Sequence, residues 1–255
     1  MAKYRIRFSK TGRAKYVSHL DLLKVFTRCA RRIGLDLEYS QGFNPHAELV
    51  FSAPLPLGMT SDAEYVDVSL NSETDPHELL ELLKKSLPEG IEPLKIRMLE
   101  PGEGSVMRPV RFAKYKITAG YGSFSLHEDH PEIFPEIFRS AIGLCLNGNE
   151  PVLTLKKSKS GTKLADIRPM IESFGEDLEC SGDGTCSFSA VLACGNEVNL
   201  RPETAFKGII DKINGFEPGG NAGDVTGDAQ TRRLPLEFLA AHKIEFYDAE
   251  KKVLW

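Results

Sequence analysis

Apolar and polar positions alternate from the first residues: Tyr4, Ile6 and Phe8 interleave with Lys3, Arg5 and Arg7, the period-two pattern of a half-buried strand. The period then lengthens. Ser18 stands three residues before Asp21 as a capping signal, and Leu22, Phe26, Cys29, Ala30 and Ile33 recur at helical spacing until Gly34 offers a stop. Alternation returns at Leu49, Phe51 and Ala53 and again at Val66, Val68 and Leu70, separated by a turn at Leu57-Gly58-Met59. Asp75-Pro76 opens a second helix with Leu79, Leu82, Leu83 and Leu87 on one face, and Leu94, Ile96 and Met98 mark a fourth strand. The predicted order is βαββαβ.

Beyond the segment Pro101-Gly102-Glu103-Gly104-Ser105 the same order is predicted a second time. Its strands are expected at Phe112–Thr118, Val152–Lys157, Cys186–Cys194 and Lys243–Tyr247, its helices at Ile133–Leu146 and Glu203–Ile213. An insertion at Leu164–Asp183 and a Gly-rich, flexible stretch near 215–230 make this half irregular. The fold class is therefore α+β, two tandem ferredoxin-like halves: a domain at 1–100, a linker at 101–110 and a second domain at 111–255.

Composition narrows the class. A chain of 255 residues with 41% hydrophobic content can bury one large core or two modest ones. No apolar run approaches the roughly 20 residues of a membrane span, and the charged N-terminus does not read as a signal peptide, so a cytoplasmic protein is expected. Five cysteines without a Cys-x-x-Cys pair indicate buried thiols rather than a disulfide framework or a zinc knuckle, and no metal or cofactor is expected. The formal net charge is −4, yet residues 1–50 carry ten Lys or Arg against four Asp or Glu. That asymmetry directs attention to the N-terminal region for an anionic partner.

Three basic groups are candidates. Lys24, Arg28, Arg31 and Arg32 gather on the polar side of the first helix. Arg5 and Arg7, with Lys95 and Arg97, fall on the sheet face away from the helices, where they form a basic platform or pair across strands with Asp67 and Tyr65. Lys156, Lys157, Lys159 and Lys163, leading to Arg168, lie around a Ser/Gly turn suited to a phosphate, although no P-loop pattern is present. Between Tyr39 and His46, Gly42-Phe43-Asn44-Pro45 makes a tight turn whose Phe43 is either a core anchor or a stacking surface for a base. His19 and His46 are the only chemistry candidates the pattern singles out. Two imidazoles could support metal-independent cleavage at a 2′-hydroxyl, while a structural role for each is the commoner fate.

The run Ser18-His19-Leu20-Asp21, the basic Arg28, Arg31 and Arg32, Tyr39-Ser40-Gln41-Gly42-Phe43-Asn44-Pro45-His46, Pro54-Leu55-Pro56-Leu57-Gly58 and Glu64 closely resemble the radical-SAM-linked protein family. The resemblance is dense over residues 4–70, and Lys163 with Asp166-Ile167-Arg168-Pro169 echoes it later. Members of that family are fused to, or encoded beside, a cobalamin-type radical S-adenosylmethionine protein. This chain lacks the Cys-x-x-x-Cys-x-x-Cys spacing that holds such an enzyme's iron–sulfur cluster, so the resemblance implies a partner rather than the enzyme itself. The tandem arrangement also looks like CRISPR repeat-processing endoribonucleases, at fold level alone.

Three functions are carried forward. The first is an RNA-binding accessory protein of a radical S-adenosylmethionine partner in ribosomal or transfer RNA maturation or modification. The second is a ribonuclease using His19 and His46. The third is a protein-interaction module that docks the partner without specific RNA binding. The pattern leaves enzyme activity open and favours a non-catalytic role for the chain by itself.

Overall fold

The computed structural model describes residues 1–121, 134–147, 150–158, 161–181, 184–215 and 236–255. The protein is mixed α+β, with two compact units: Met1–Ala113, Cys194–Glu197 and His242–Trp255 form the first, Lys114–Ala193 and Val198–Ala241 the second.

In the first unit, β1 (Ala2–Lys10) leads through a 3-10 turn to α1 (His19–Arg32), then to β2 (Leu49–Phe51), β3 (Thr60–Leu70), α2 (Pro76–Ser86) and β4 (Ile91–Met98). β1 pairs antiparallel with both β3 and β4, and β2 pairs antiparallel with the far half of β3. The near end of β3 is met in parallel by His242 and Lys243 of β10 (Leu236–Tyr247).

One face of this sheet carries the core. Tyr4, Ile6 and Phe8 of β1 pack with Val66, Val68 and Leu70 of β3 under Leu22, Phe26 and Cys29 of α1 and Leu79 and Leu83 of α2. Phe8, Phe26 and Phe51 meet as a trio of tilted and edge-on rings. α1 starts where expected, Ser18 accepting from Asp21 N–H, and Asp75 caps α2 by accepting from His77 and Glu78 N–H. Gly34 ends α1 with φ of 75°, a conformation that a side chain would strain.

The segment expected to be a linker is instead part of this unit. Val106 and Val110 are fully buried, and Glu103 and Gly104 contact Arg5. His242–Trp255 likewise packs in the first unit rather than in a 111–255 domain. Local composition is blind to such tertiary returns of the chain.

The second unit contains β5 (Phe112–Tyr121) from Lys114 onward, α3 (Phe134–Asn147), β6 (Leu153–Ser158), β7 (Gly161–Asp166), β8 (Ile171–Cys180), β9 (Thr185–Ala193) and α4 (Pro202–Ile213). β5 lies between β10 and β9, and β8 forms the edge beside β9. The expected insertion at Leu164–Asp183 thus holds β8 and part of β7, while β6 pairs with β7 as a separate hairpin. Glu-rich β8 escaped the sequence reading because an edge strand needs only a few inward residues, here Ile171, Phe174 and Leu178. Lys159 and residues 216–235, which take in nearly all of the Gly-rich stretch near 215–230, lie outside the described residues.

Candidate nucleic-acid interface

Leu37 and Tyr39 follow α1 in an extended segment bridged to Leu70 and Ala47 respectively. Tyr39 and Ala47 close the neck of a loop. Ser40 N–H donates to His46 O at 2.9 Å, His46 N–H donates to Ser40 Oγ at 3.1 Å, and Ser40 Oγ lies 2.8 Å from His46 Nδ1. The loop turns at Gly42, whose φ of 149° suits glycine alone, and every residue from Gln41 to His46 is exposed. Phe43 at its tip has no burial at all, so it does not anchor the loop to the core.

α1 is tied to this loop at its polar face. Arg31 donates from Nε and Nη2 to Tyr39 Oη at 3.1 and 2.8 Å, its guanidinium 5.8 Å from the ring centroid. Arg32 donates to Ser86 Oγ and its carbonyl and so joins α1 to α2. Lys24 makes an exposed ion pair with Asp21. Ser18's hydroxyl and then Lys24's ammonium hold the Asp21 carboxyl below its ordinary range. Arg28 is exposed and has no hydrogen-bond or ion-pair partner among the described residues. The four expected cations therefore differ: Arg28 is available, Lys24 is weakly held, and Arg31 and Arg32 are oriented by neutral oxygens that leave their charge uncompensated.

The basic platform does not form. Arg5 is 3% exposed, its Nε and Nη2 gripping both oxygens of Asp67 at 2.8 and 3.0 Å, with Glu103 also in contact. Arg7 pairs with Glu245 at 2.9 Å and lies over the Tyr65 ring. Arg97 pairs with Glu103, and both Lys95 and Arg97 lie against Trp255. Cross-strand pairing, extended by residues 103–106 and the C-terminal segment, covers this face. Arg5 is thereby removed from the anion-binding candidates, and Arg7 is neutralised by Glu245.

In the second unit Arg168 donates from Nε and Nη2 to Leu146 O and from Nη1 to Ile171 O, capping the last turn of α3. Lys156 and Lys157 lie on β6, and Lys163 occupies the register position opposite Lys156 on β7.

His19 and His46 have separate surroundings. The His19 ring stands edge-on to Phe51 with centroids 5.5 Å apart, whereas His46 belongs to the loop neck with Ser40. Each contact fits a structural role. Among the described residues no group of three or more His, Cys, Asp or Glu could hold a metal ion, and no helix is long and apolar enough to cross a membrane.

Sequence reasoning missed a buried charge cluster in the first unit. Lys10 and Lys243, 2% and 1% exposed, flank Glu64; Lys243 Nζ contacts Glu64 Oε1 and lies 3.8 Å from the Phe246 ring centroid, and Lys10 Nζ donates to Val17 O at 2.7 Å. Burial first, then Lys243's charge, pull the Lys10 amine below its ordinary range against the attraction of Glu64. Nearby, burial and Glu245, which accepts from Tyr65 Oη at 2.8 Å, push the Tyr65 hydroxyl far up. Also missed were the exposed Tyr16, Leu20 and Leu57, where Gly58 N–H donates to Lys15 O. Isolated polar residues inside a strand pattern were the available signal for the cluster.

A family model described as "uncharacterized protein conserved in bacteria (DUF2344)" matches residues 3–202. The chain belongs to that family. No curated protein matches this DUF2344 member. Among solved structures, a Cbf5-Nop10-Gar1 complex aligns at 9% identity over 95% of this chain and 48% of that chain, with a TM-score of 0.47. The chain spans about half the length of that relative. The encapsulated DyP-type peroxidase from Mycobacterium smegmatis aligns at 10% identity over 94% of this chain and 90% of that chain, with a TM-score of 0.22. Both likenesses are too distant to carry a functional argument.

Proposed function

We propose that the chain is an RNA-binding accessory protein that works with a radical S-adenosylmethionine partner enzyme in the maturation or modification of ribosomal or transfer RNA. The observation that carries this reading is Phe43, fully exposed on a loop with a hydrogen-bonded neck and tied through Tyr39 to the basic face of α1. A fully exposed ring at a loop tip offers both faces for stacking, and a base stacked on an aromatic ring is worth about 1–3 kcal/mol. Arg28, Arg31 and Lys24 stand on the adjoining helix to meet phosphates, and Asn44 beside Phe43 can reach a base edge. The radical S-adenosylmethionine partner comes from the family resemblance of residues 4–70 and the absence of a cluster-binding cysteine motif. The ferredoxin-like reading fits the antiparallel β4, β1, β3, β2 neighbours of the first unit and belongs to the same proposal.

The pair of lysines at one register position of the β6–β7 hairpin is a second anion contact in this reading. A protein-docking role has its own support in the exposed Tyr16, Leu20 and Leu57, which suit an apolar protein surface better than a nucleic acid.

The test is binding of the purified chain to small RNA and ribosomal RNA fragments across a salt series, beside an Arg28/Arg31/Arg32→Ala triple mutant. The expected result is binding that weakens with salt, falls in the mutant and leaves the RNA intact. Cleavage would favour the ribonuclease, and binding no better than that of an unrelated acidic protein would overturn the RNA reading.

A further inference from the structure

Two of the five cysteines face each other. β8 ends at Cys180 and β9 begins at Thr185, and the register of this antiparallel pair sets Cys180 directly opposite Cys186. Both are reduced thiols, Cys180 exposed and Cys186 buried. One step toward the turn, Ser181 N–H donates to Thr185 O at 2.8 Å, which makes 181/185 a hydrogen-bonded pair. The alternation of an antiparallel ladder then makes 180/186 a non-hydrogen-bonded pair, the kind with the closer backbones, Cα atoms about 4.5 Å apart, and both side chains on one face. That separation falls at the short end of the roughly 4.4–6.8 Å that a disulfide spans, so a bond there is attainable but strained.

We propose that Cys180 and Cys186 are a redox-active cross-strand dithiol, which closes to a reversible disulfide at the end of the β8–β9 hairpin when the protein meets a low-molecular-weight disulfide oxidant such as oxidised glutathione. Strain and exposure are the features that make a disulfide easily reduced again. The remaining cysteines do not compete: Cys29, Cys145 and Cys194 are all buried, and none is a register partner of another cysteine.

The surroundings assign an order of events. Cys180 is the accessible thiol and feels the positive charge of Arg139, which favours its thiolate although partial burial raises it overall. Burial and the neighbouring Cys180 push the Cys186 thiol up to about 12, so Cys186 is the poorer first nucleophile. Cys180 Sγ attacks one sulfur of the oxidant, breaking its S–S bond and releasing one small thiol. Cys186 Sγ then attacks Cys180 Sγ in the mixed disulfide and releases the second. Two protein S–H groups become one S–S bond, and their two electrons and two protons leave on the two small thiols.

The experiment uses the full-length chain, reduced and then exposed to oxidised glutathione, quenched by alkylation under denaturing conditions and weighed intact. Wild type is expected to lose the mass of two hydrogens with Cys180 and Cys186 alone protected from alkylation. Cys186→Ser is expected to stop as a single glutathione adduct on Cys180, and Cys180→Ser to remain unmodified at Cys186. Time-resolved alkylation of the wild type reads the same order should either variant fail to fold. A native wild type that stays reduced, that stops at the mixed disulfide, or that pairs other cysteines overturns the proposal.

Discussion

Lys10 shows how a single side chain can set a pH response. Two buried lysines share one buried carboxylate, Glu64, and the Lys10 amine is held below its usual range chiefly by burial. In the unfolded chain Lys10 titrates near its ordinary value of 10.5. Between the lower folded-state value and 10.5 the unfolded chain binds more protons, so stability rises with pH across that window and the benefit is absent below it. Lys10→Met leaves a balanced Glu64–Lys243 pair. Urea denaturation between pH 7 and 10 should therefore show the variant at least as stable as wild type at pH 7, with the alkaline rise flattened. Glu64→Gln leaves two buried ammonium groups without an anion and should cost about 3–5 kcal/mol in the same assay. Phe43 is the opposite case. With nothing packed against it, Phe43→Ala should leave the melting temperature unchanged while weakening RNA binding about tenfold, the effect of losing one stacked base.

At the scale of elements, the loop neck and the covered sheet face make separable predictions. Ser40 joins the two sides of the loop through His46, so Ser40→Ala should loosen the tip without touching the core. Amide exchange should quicken at residues 40–46 and at no core strand, and RNA affinity should fall with the melting temperature held. Arg5 and Asp67 bind β1 to β3 and also recruit the segment after β4, because Val106 N–H donates to Asp67 Oδ2 at 2.8 Å and Gly104 O accepts from Arg5. Removing one member of such a buried pair strands the other. Asp67→Ala should therefore destabilise by about 3–5 kcal/mol, and limited proteolysis should cut first in 101–110. These residues illustrate what a strand pattern can and cannot say. Alternation revealed that Arg5 and Arg7 face away from Tyr4 and Ile6, but whether that face meets water depends on segments that return from far along the chain.

At the scale of the whole molecule, binding by a basic face is an electrostatic property with a measurable slope. Every phosphate that the protein no longer neutralises should shallow the dependence of log affinity on log salt by about 0.7 for single-stranded RNA, so the triple arginine mutant should bind more weakly and less salt-sensitively than wild type. A mutant with the wild-type slope would mean that other cations, such as those of the β6–β7 hairpin, carry the charge. The sequence by itself determined the α+β class, the caps of α1 and α2, the core faces of β1, α1 and β3 and the Gly42 turn, because each follows from periodicity or from the conformational demands of a few adjacent residues, whereas on β4 the expected apolar positions Leu94 and Met98 are exposed. Tertiary structure alone decided the rest. It returned His242–Trp255 to the first unit, covered Arg5, placed β8 at a sheet edge, exposed Phe43 and set Cys180 against Cys186. All of these depend on the meeting of residues distant in the chain or on register, and a local pattern of hydrophobic and polar positions carries no information about either.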